Sequence, residues 1–130
     1  MREGFRRLNL TDVPAWQREL AEREVVKAVW KAWIAPPYIC WWVYVDEKNC
    51  AAWVEDDRPW NVINLCSNML ESSEDVIAFV WEEVYHCKQY RWDPVVRFEP
   101  QRREREADEF VRRHTGIVNK KKLPYWEYKE

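Results

Sequence analysis

The segment "FVWEEVYHCKQY" at residues 79–90 constrains the fold more than any other part of the chain. On a helical wheel the apolar stripe of this segment and the turn before it is formed by Val76, Phe79, Val80, Val84, Cys87 and Tyr90. Glu83 falls inside that stripe, and Glu82 and His86 lie along one edge. A carboxylate buried there without a partner is costly or takes up a proton. The fold must therefore supply a partner: a metal ion, a metal-bound water, a basic side chain or the imidazole itself.

The helix that carries this segment has recognisable ends. Ser72, with Asp75 three residues later, matches a capping box, and Pro94 stops the helical pattern. The sequence therefore predicts a helix from about Ser73 to the region of Trp92.

A third helix is predicted from near Pro100, through "QRREREADEFVRRH", to a stop before Gly116. Glu104 and Asp108, one turn apart, flank its apolar stripe. If this stripe and that of the preceding helix share one core, Glu104 approaches His86. The alternative is that this charge-dense helix is a solvated face held by pairs of opposite charge.

The N-terminal part of the chain predicts a first amphipathic helix. Thr11 or Asp12 caps it, Pro14 lies near its first turn, and Pro36 and Pro37 stop it. Its apolar residues at helical spacing are Trp16, Leu20, Val26, Val29, Trp30 and Trp33.

Three strands are predicted between the first two helices. "YICWWVYV" at residues 38–45 is apolar on both faces, which is typical of a central strand. "DEKN" would turn it into "CAAWVE" at residues 50–55 as a hairpin, and "NVINL" at residues 61–65 would be the third strand. The fold class is therefore α+β: an N-terminal helix, a small mostly antiparallel sheet, and two later helices.

Length and charge narrow the class of protein. At 130 residues the chain predicts a single domain, residues 1–130, with a core of about residues 11–114 and a C-terminal tail at 115–130. The formal net charge of −2 gives no basic field for nucleic acid, and no apolar run is long enough for a bilayer. The N-terminus has no apolar signal sequence, so a cytoplasmic location is expected. The oligomeric state stays open.

Tryptophan and cysteine are both notable. Ten Trp residues are spread along the chain and are not interleaved with Lys or Arg as a nucleic-acid groove requires, which favours core packing over a stacking surface for bases or sugars. The four Cys residues form no CxxC pair, so a zinc knuckle is not expected. Cys40 and Cys50 would face each other if the hairpin forms, and whether they pair stays open.

Two motifs together resemble a known family. "EEVYHCKQ" is similar to the HExxH helix of zincin metallopeptidases, and "EREADEFV" resembles the downstream ExxAD-like helix that supplies the third ligand in the gluzincin kind. The resemblance covers roughly residues 11–114 and implies a minimal zincin-like domain.

The resemblance implies a role for each matching residue. His86 matches the second histidine ligand, Glu83 the general base and Glu104 the glutamate ligand. Asp108 and Gln89 match outer groups that orient the ligands. The implied activity is hydrolysis of peptide bonds by a metal-activated water, with a protein or peptide as the partner.

The chain departs from the family pattern at one position, where Glu82 stands in place of the first histidine. Glu82 can still be a ligand, because carboxylates bind zinc or manganese at ordinary distances. The resulting ligand set of Glu82, His86 and Glu104 is harder and more anionic, so manganese or iron suit it as well as zinc. The alternative is a degenerate protein without metal, in which the cleft survives as a protein-binding module.

Overall fold

A computed structural model of the protein describes residues 4–44, 50–55 and 60–129. The described residues form three α-helices and one four-stranded sheet, which confirms the α+β class. In chain order the elements are β1 (Phe5–Arg7), α1 (Ala15–Ala32), β2 (Tyr38–Tyr44), β3 (Ala52–Val54), β4 (Val62–Cys66), α2 (Ser73–Trp92) and α3 (Pro100–Thr115).

The sheet has the strand order β1-β2-β4-β3. β2 has a neighbour on each side, as predicted for a central strand, and two of the three strand pairs are antiparallel. The predicted hairpin is wrong, because β2 pairs with β4 in parallel and β3 pairs with the outer side of β4. β4 is almost fully buried, so burial of this apolar strand in the sheet interior outweighs the short sequence distance between β2 and β3. The predicted "DEKN" turn lies outside the described residues.

Strand β1 was not predicted. Its sequence is only "FRR", which has too few residues to show an alternating pattern. Phe5 is nevertheless buried and contacts the rings of Tyr44 and Trp53, so it belongs to a small apolar cluster with residues of β2 and β3.

The buried face of α1 includes only two of the six apolar residues that the sequence predicted for it, Leu20 and Val29. The buried apolar residues of α1 are Leu20, Ala21, Val25, Ala28, Val29 and Ala32, whereas Trp16, Val26, Trp30 and Trp33 are exposed. Three alanines in this face have no exposed surface at all, which lets the two helices approach closely. The positions of the large apolar side chains therefore do not indicate which face of α1 is buried.

Tryptophan packing explains only part of the Trp content. Trp41, Trp53 and Trp81 are buried, but five others are largely exposed: Trp16, Trp30, Trp33, Trp92 and Trp126. The interpretation of the tryptophans as core residues is wrong for these five.

The ends of α2 and α3 agree with the sequence. Ser72 accepts a hydrogen bond from the Asp75 backbone N–H, and the Asp75 carboxylate accepts one from the Ser72 N–H, so the predicted capping box is present. α3 ends at Gly116, whose φ of 74° is the left-handed conformation of a helix C-cap. α2 contacts both α1 and α3, and this central position brings its polar residues against α3.

No disulfide joins Cys40 to Cys50 in the part of the chain that the structure describes. Cys40 lies opposite Asn64 of β4, and the Cys50 thiol donates to the carbonyl of Ala52. None of the helices formed by the described residues is long and apolar enough to cross a bilayer.

Candidate metal centre

Helices α2 and α3 bring three candidate ligands together. Glu82 and His86 lie one turn apart on α2, and Glu104 reaches them from the first turns of α3. All three side chains are buried, and one ligand atom from each lies within 4.8 Å of the others. The sequence-based expectation that Glu104 approaches His86 agrees with the structure, in which His86 Nε2 lies 3.5 Å from Glu104 Oε2 and 3.8 Å from Glu82 Oε1.

A hydrogen bond at Nδ1 fixes the orientation of the His86 ring. His86 Nδ1 lies 2.8 Å from Gln89 Oε1, and Gln89 Nε2 donates to the Arg103 carbonyl and to Glu106 Oε1, both at 3.1 Å. Because the amide oxygen can only accept, Nδ1 carries a hydrogen and Nε2 faces the carboxylates. The structure thus places Gln89 where the resemblance implies an orienting group.

Glu83 is buried beside the three candidate ligands. It is 4% exposed, and its Oε2 accepts no hydrogen bond from any residue that the structure describes. Burial raises the pKa of Glu83 to about 8, with the neighbouring Glu82 and Glu104 adding to the shift and His86 and Lys122 opposing it. Burial thus shifts this carboxyl towards its neutral form.

Lys122 is a member of the site that sequence reasoning missed. Its ammonium contacts Glu82 Oε1 and lies 2.9 Å from both Glu104 Oε1 and Asp108 Oδ1. "NKKK" offers three adjacent lysines, and nothing in the sequence distinguishes the one that enters the site. Asp108 was expected to orient Glu104, and the structure links the two carboxylates through this shared lysine.

Two further shifts show how strongly the charges interact. Burial alone would lower the pKa of His86, but the carboxylates of Glu104, Glu82 and Glu83 outweigh it and raise that pKa well above its usual value. Burial would raise the pKa of Glu104, but His86 and Lys122 outweigh it and hold that pKa well below its usual range.

The site is balanced in charge as it stands. The anionic groups Glu82, Glu104 and Asp108 face the cationic groups His86, Lys122 and Arg103, whose Nε lies 2.7 Å from Glu104 Oε2. A divalent ion would therefore have to replace positive charge already present. If His86 loses its proton and the Lys122 ammonium moves away, the site loses two positive charges and gains the two of the divalent ion.

A cleft of about 440 Å³ opens onto this site. Its walls come from α2, from the segment around β3 and from the C-terminal segment, and they include Ala51, Ala52, Phe79, Leu123 and Tyr128 besides the acidic residues. Glu82, Glu83 and Glu104 are thus the carboxylates that a molecule in this cleft would meet.

The donor set fits a first-row divalent ion. One imidazole nitrogen and two carboxylate oxygens are ordinary ligands of zinc, manganese and iron, and the hydrogen-bonded Nδ1 of His86 is the usual support for such a ligand. The unsatisfied Oε2 of Glu83 leaves a buried acceptor that a water molecule could satisfy.

Comparison of the chain with models of known protein families, with curated proteins and with solved structures finds no match.

Proposed function

We propose that this protein is a zincin-like metallopeptidase in which Glu82, His86 and Glu104 hold a divalent ion and Glu83 is the general base. The observation that carries this proposal is the arrangement of Glu83: a buried carboxyl with an unsatisfied oxygen beside three converging ligand atoms. A buried carboxyl with an unsatisfied oxygen costs folding free energy, and buried acids with perturbed pKa values are concentrated at active sites.

The roles of the protein groups follow from their positions. A divalent ion bound here would lower the pKa of a water and polarise the substrate carbonyl. Its charge would also lower the pKa of Glu83, so that the carboxylate can accept the proton of the attacking water and pass it to the leaving amine. Gln89 holds the His86 ring in place while this happens.

A peptide substrate suits the shape of the site. The cleft is bordered at Ala51 and Ala52 by the segment that forms β3, the last strand in the sheet order. Extended peptides bind by pairing with a strand at a sheet edge, so a peptide lying along β3 would pass the carboxylates of Glu82 and Glu83. Zinc is the first candidate ion, with manganese and iron as alternatives.

A second candidate function is a non-catalytic protein-binding module. It is favoured by Lys122, whose ammonium gives the carboxylates of Glu82 and Glu104 a cation without any metal. In this alternative the helix pair keeps its packing, and the cleft binds a partner peptide without cleaving it.

Metal binding is tested first, because the two candidates differ in it. Wild-type protein is dialysed against zinc or manganese and its metal content is measured by inductively coupled plasma mass spectrometry, alongside His86→Ala and His114→Ala. The chain has two histidines, and His114 is exposed near the end of α3, so it is a matched control. We expect near-stoichiometric metal in the wild type and in His114→Ala and a loss in His86→Ala. Metal-free protein in all three samples would reject the peptidase.

Catalysis is tested with Glu83→Gln on a library of unstructured peptides. Loss of the general base should reduce turnover at least about 100-fold while metal content stays close to that of the wild type. Glu74→Gln, on the same helix but exposed in its first turn, serves as the control and should keep full activity. Equal turnover in Glu83→Gln and the wild type would remove Glu83 from the mechanism.

A further inference from the structure

Lys122 reaches the centre from a segment whose neighbouring side chains are exposed or half-buried. Its side chain is 8% exposed, whereas Val118, Lys120 and Leu123 on the same segment are exposed. The Lys122 ammonium contacts Glu82 and Glu104, two of the three candidate ligands. It therefore lies against two carboxylates that a metal ion would need.

An ion and this ammonium would compete for one oxygen. Lys122 Nζ contacts Glu82 Oε1, which also lies 3.8 Å from His86 Nε2. A metal ion on that oxygen would be about 2 Å from it, and hence no more than about 5 Å from the ammonium. Like charges at that separation in a buried site repel strongly, so an ion and the charged lysine do not occupy the centre together.

The segment around Lys122 is held mainly by polar contacts. Lys121 Nζ lies 2.7 Å from Glu71 and 2.9 Å from Asp75, and Asn119 Nδ2 donates to Glu82 Oε2 at 3.3 Å. Glu71 is well exposed, so its ion pair is screened and contributes little. Ile117 packs against the apolar core at the start of the segment, whereas the polar contacts of Asn119, Lys121 and Lys122 can open without disrupting that core.

We propose that Lys122 is a built-in competitor of the metal ion, and that residues 117–128 form a strap that closes the centre without metal and releases it when an ion binds. The inference rests on the proposed metal site. In the closed state the ammonium satisfies Glu82, Glu104 and Asp108, and in the open state the ion takes the first two of these carboxylates. Metal affinity is therefore set by the strap as well as by the ligands.

The test compares zinc affinity among variants of the full chain, by competition with a chromophoric chelator. Lys122→Met keeps the length of the side chain without its charge and should bind zinc at least about tenfold more tightly than the wild type, a difference of 1.4 kcal/mol. Lys122→Arg keeps the charge and should stay within a few-fold of the wild type. Lys120→Met, on the same segment but exposed, should equal the wild type.

A second measurement uses the wild type alone, so it does not depend on whether a variant folds. Hydrogen exchange followed by mass spectrometry should show faster exchange over residues 117–128 when zinc is added, and unchanged exchange over α1. Zinc that binds without altering exchange in 117–128 would overturn the strap.

The outcomes also separate this inference from the proposed function. Equal zinc affinity in the wild type and Lys122→Met would overturn the competitor and leave the metal site standing. Zinc binding in neither protein would reject the metal site and the inference with it.

Discussion

Glu83 and Lys122 are both buried, but only Lys122 keeps its charged form. Lys122 keeps its charge because three carboxylates lie against its ammonium, and they outweigh the effect of burial to raise its pKa above the usual value. Glu83 has no such donor on its Oε2 among the described residues, and burial shifts it towards the neutral form. Both side chains are buried at the same site, so the difference between their charge states comes from the groups they contact and not from the extent of their burial.

Glu83 should make the metal-free protein less stable as the pH rises towards 8. Its pKa is raised from 4.5 to about 8 on folding, so the folded state binds the proton more tightly and the unfolding free energy falls as the pH rises through this interval. The fall from this one group is at most about 1.4 kcal/mol per pH unit. Glu83→Gln is always neutral and should differ little from the wild type at pH 5 but be clearly more stable at pH 9, because the wild type loses most of this contribution between the two.

Urea unfolding at both pH values, with a chelator present, measures this difference. An equal loss of stability in the wild type and in Glu83→Gln between pH 5 and pH 9 would show that Glu83 is already charged at neutral pH in the folded protein.

At the scale of the elements, buried polar contacts add to the apolar packing between α1 and α2. Gln17 of α1 is buried, and its Nε2 donates to the carbonyls of Ser67 and Leu70, at 2.9 and 2.7 Å. Ser67 Oγ donates in return to Gln17 Oε1. Farther along the pair, Trp81 Nε1 of α2 donates to Glu24 Oε1 at 3.0 Å. These bonds tie α1 to the loop before α2 and to α2 itself.

Gln17→Leu should lower the unfolding free energy by about 1–3 kcal/mol, because it leaves the Leu70 carbonyl and the Ser67 hydroxyl without this partner and removes one of the two hydrogen bonds to the Ser67 carbonyl. Trp16→Leu is the control, since Trp16 is 43% exposed and its substitution should change the free energy by less than about 0.5 kcal/mol. Urea denaturation gives both values. Equal stability of the two variants would mean that the Gln17 contacts contribute nothing in solution.

The C-terminal end of α1 contains a strained residue. Trp33 has φ 61° and ψ 49°, a left-handed conformation that side chains other than glycine adopt at a cost, and it is 85% exposed. Trp33→Gly should therefore raise the unfolding free energy by about 1 kcal/mol.

The same substitution three residues earlier is the matched comparison. Trp30 is also exposed but lies inside α1, so Trp30→Gly should lower the unfolding free energy by about 1 kcal/mol. Thermal unfolding of the two variants should move in opposite directions. A loss of stability in Trp33→Gly would indicate that the indole ring packs on the surface more strongly than the backbone is strained.

At the scale of the whole molecule, features that depend on neighbouring residues were easier to predict from the sequence than contacts between distant segments. The ends of α2 and α3 depend on neighbouring residues such as Ser72 and Gly116, and they were predictable. The order of the strands depends on which apolar strand is enclosed, and proximity along the chain misled the prediction of the hairpin. The contact of Lys122 with the site was hard to predict for the same reason, because it depends on where the C-terminal segment lies and the sequence offers three adjacent lysines.

Covalent cross-links should play no part in holding this fold together. Burial raises the pKa of Cys66 to about 11 and of Cys87 to about 12, which keeps both as unreactive thiols at neutral pH. The melting temperature should be the same with and without a reductant. A thiol reagent should modify Cys66 and Cys87 only after unfolding, when all four cysteines of the chain react. Rapid modification of either buried thiol in the native state would contradict the packing described here.

The order of the charged residues along the chain makes this centre depend on a late segment. Glu82 and Glu104 are synthesised before Lys122, which follows Glu104 by 18 residues. Until the segment that carries Lys122 docks, these two carboxylates lack the ammonium that lies against them in the folded protein. The charge balance of the centre is therefore completed only when residues C-terminal to α3 are in place.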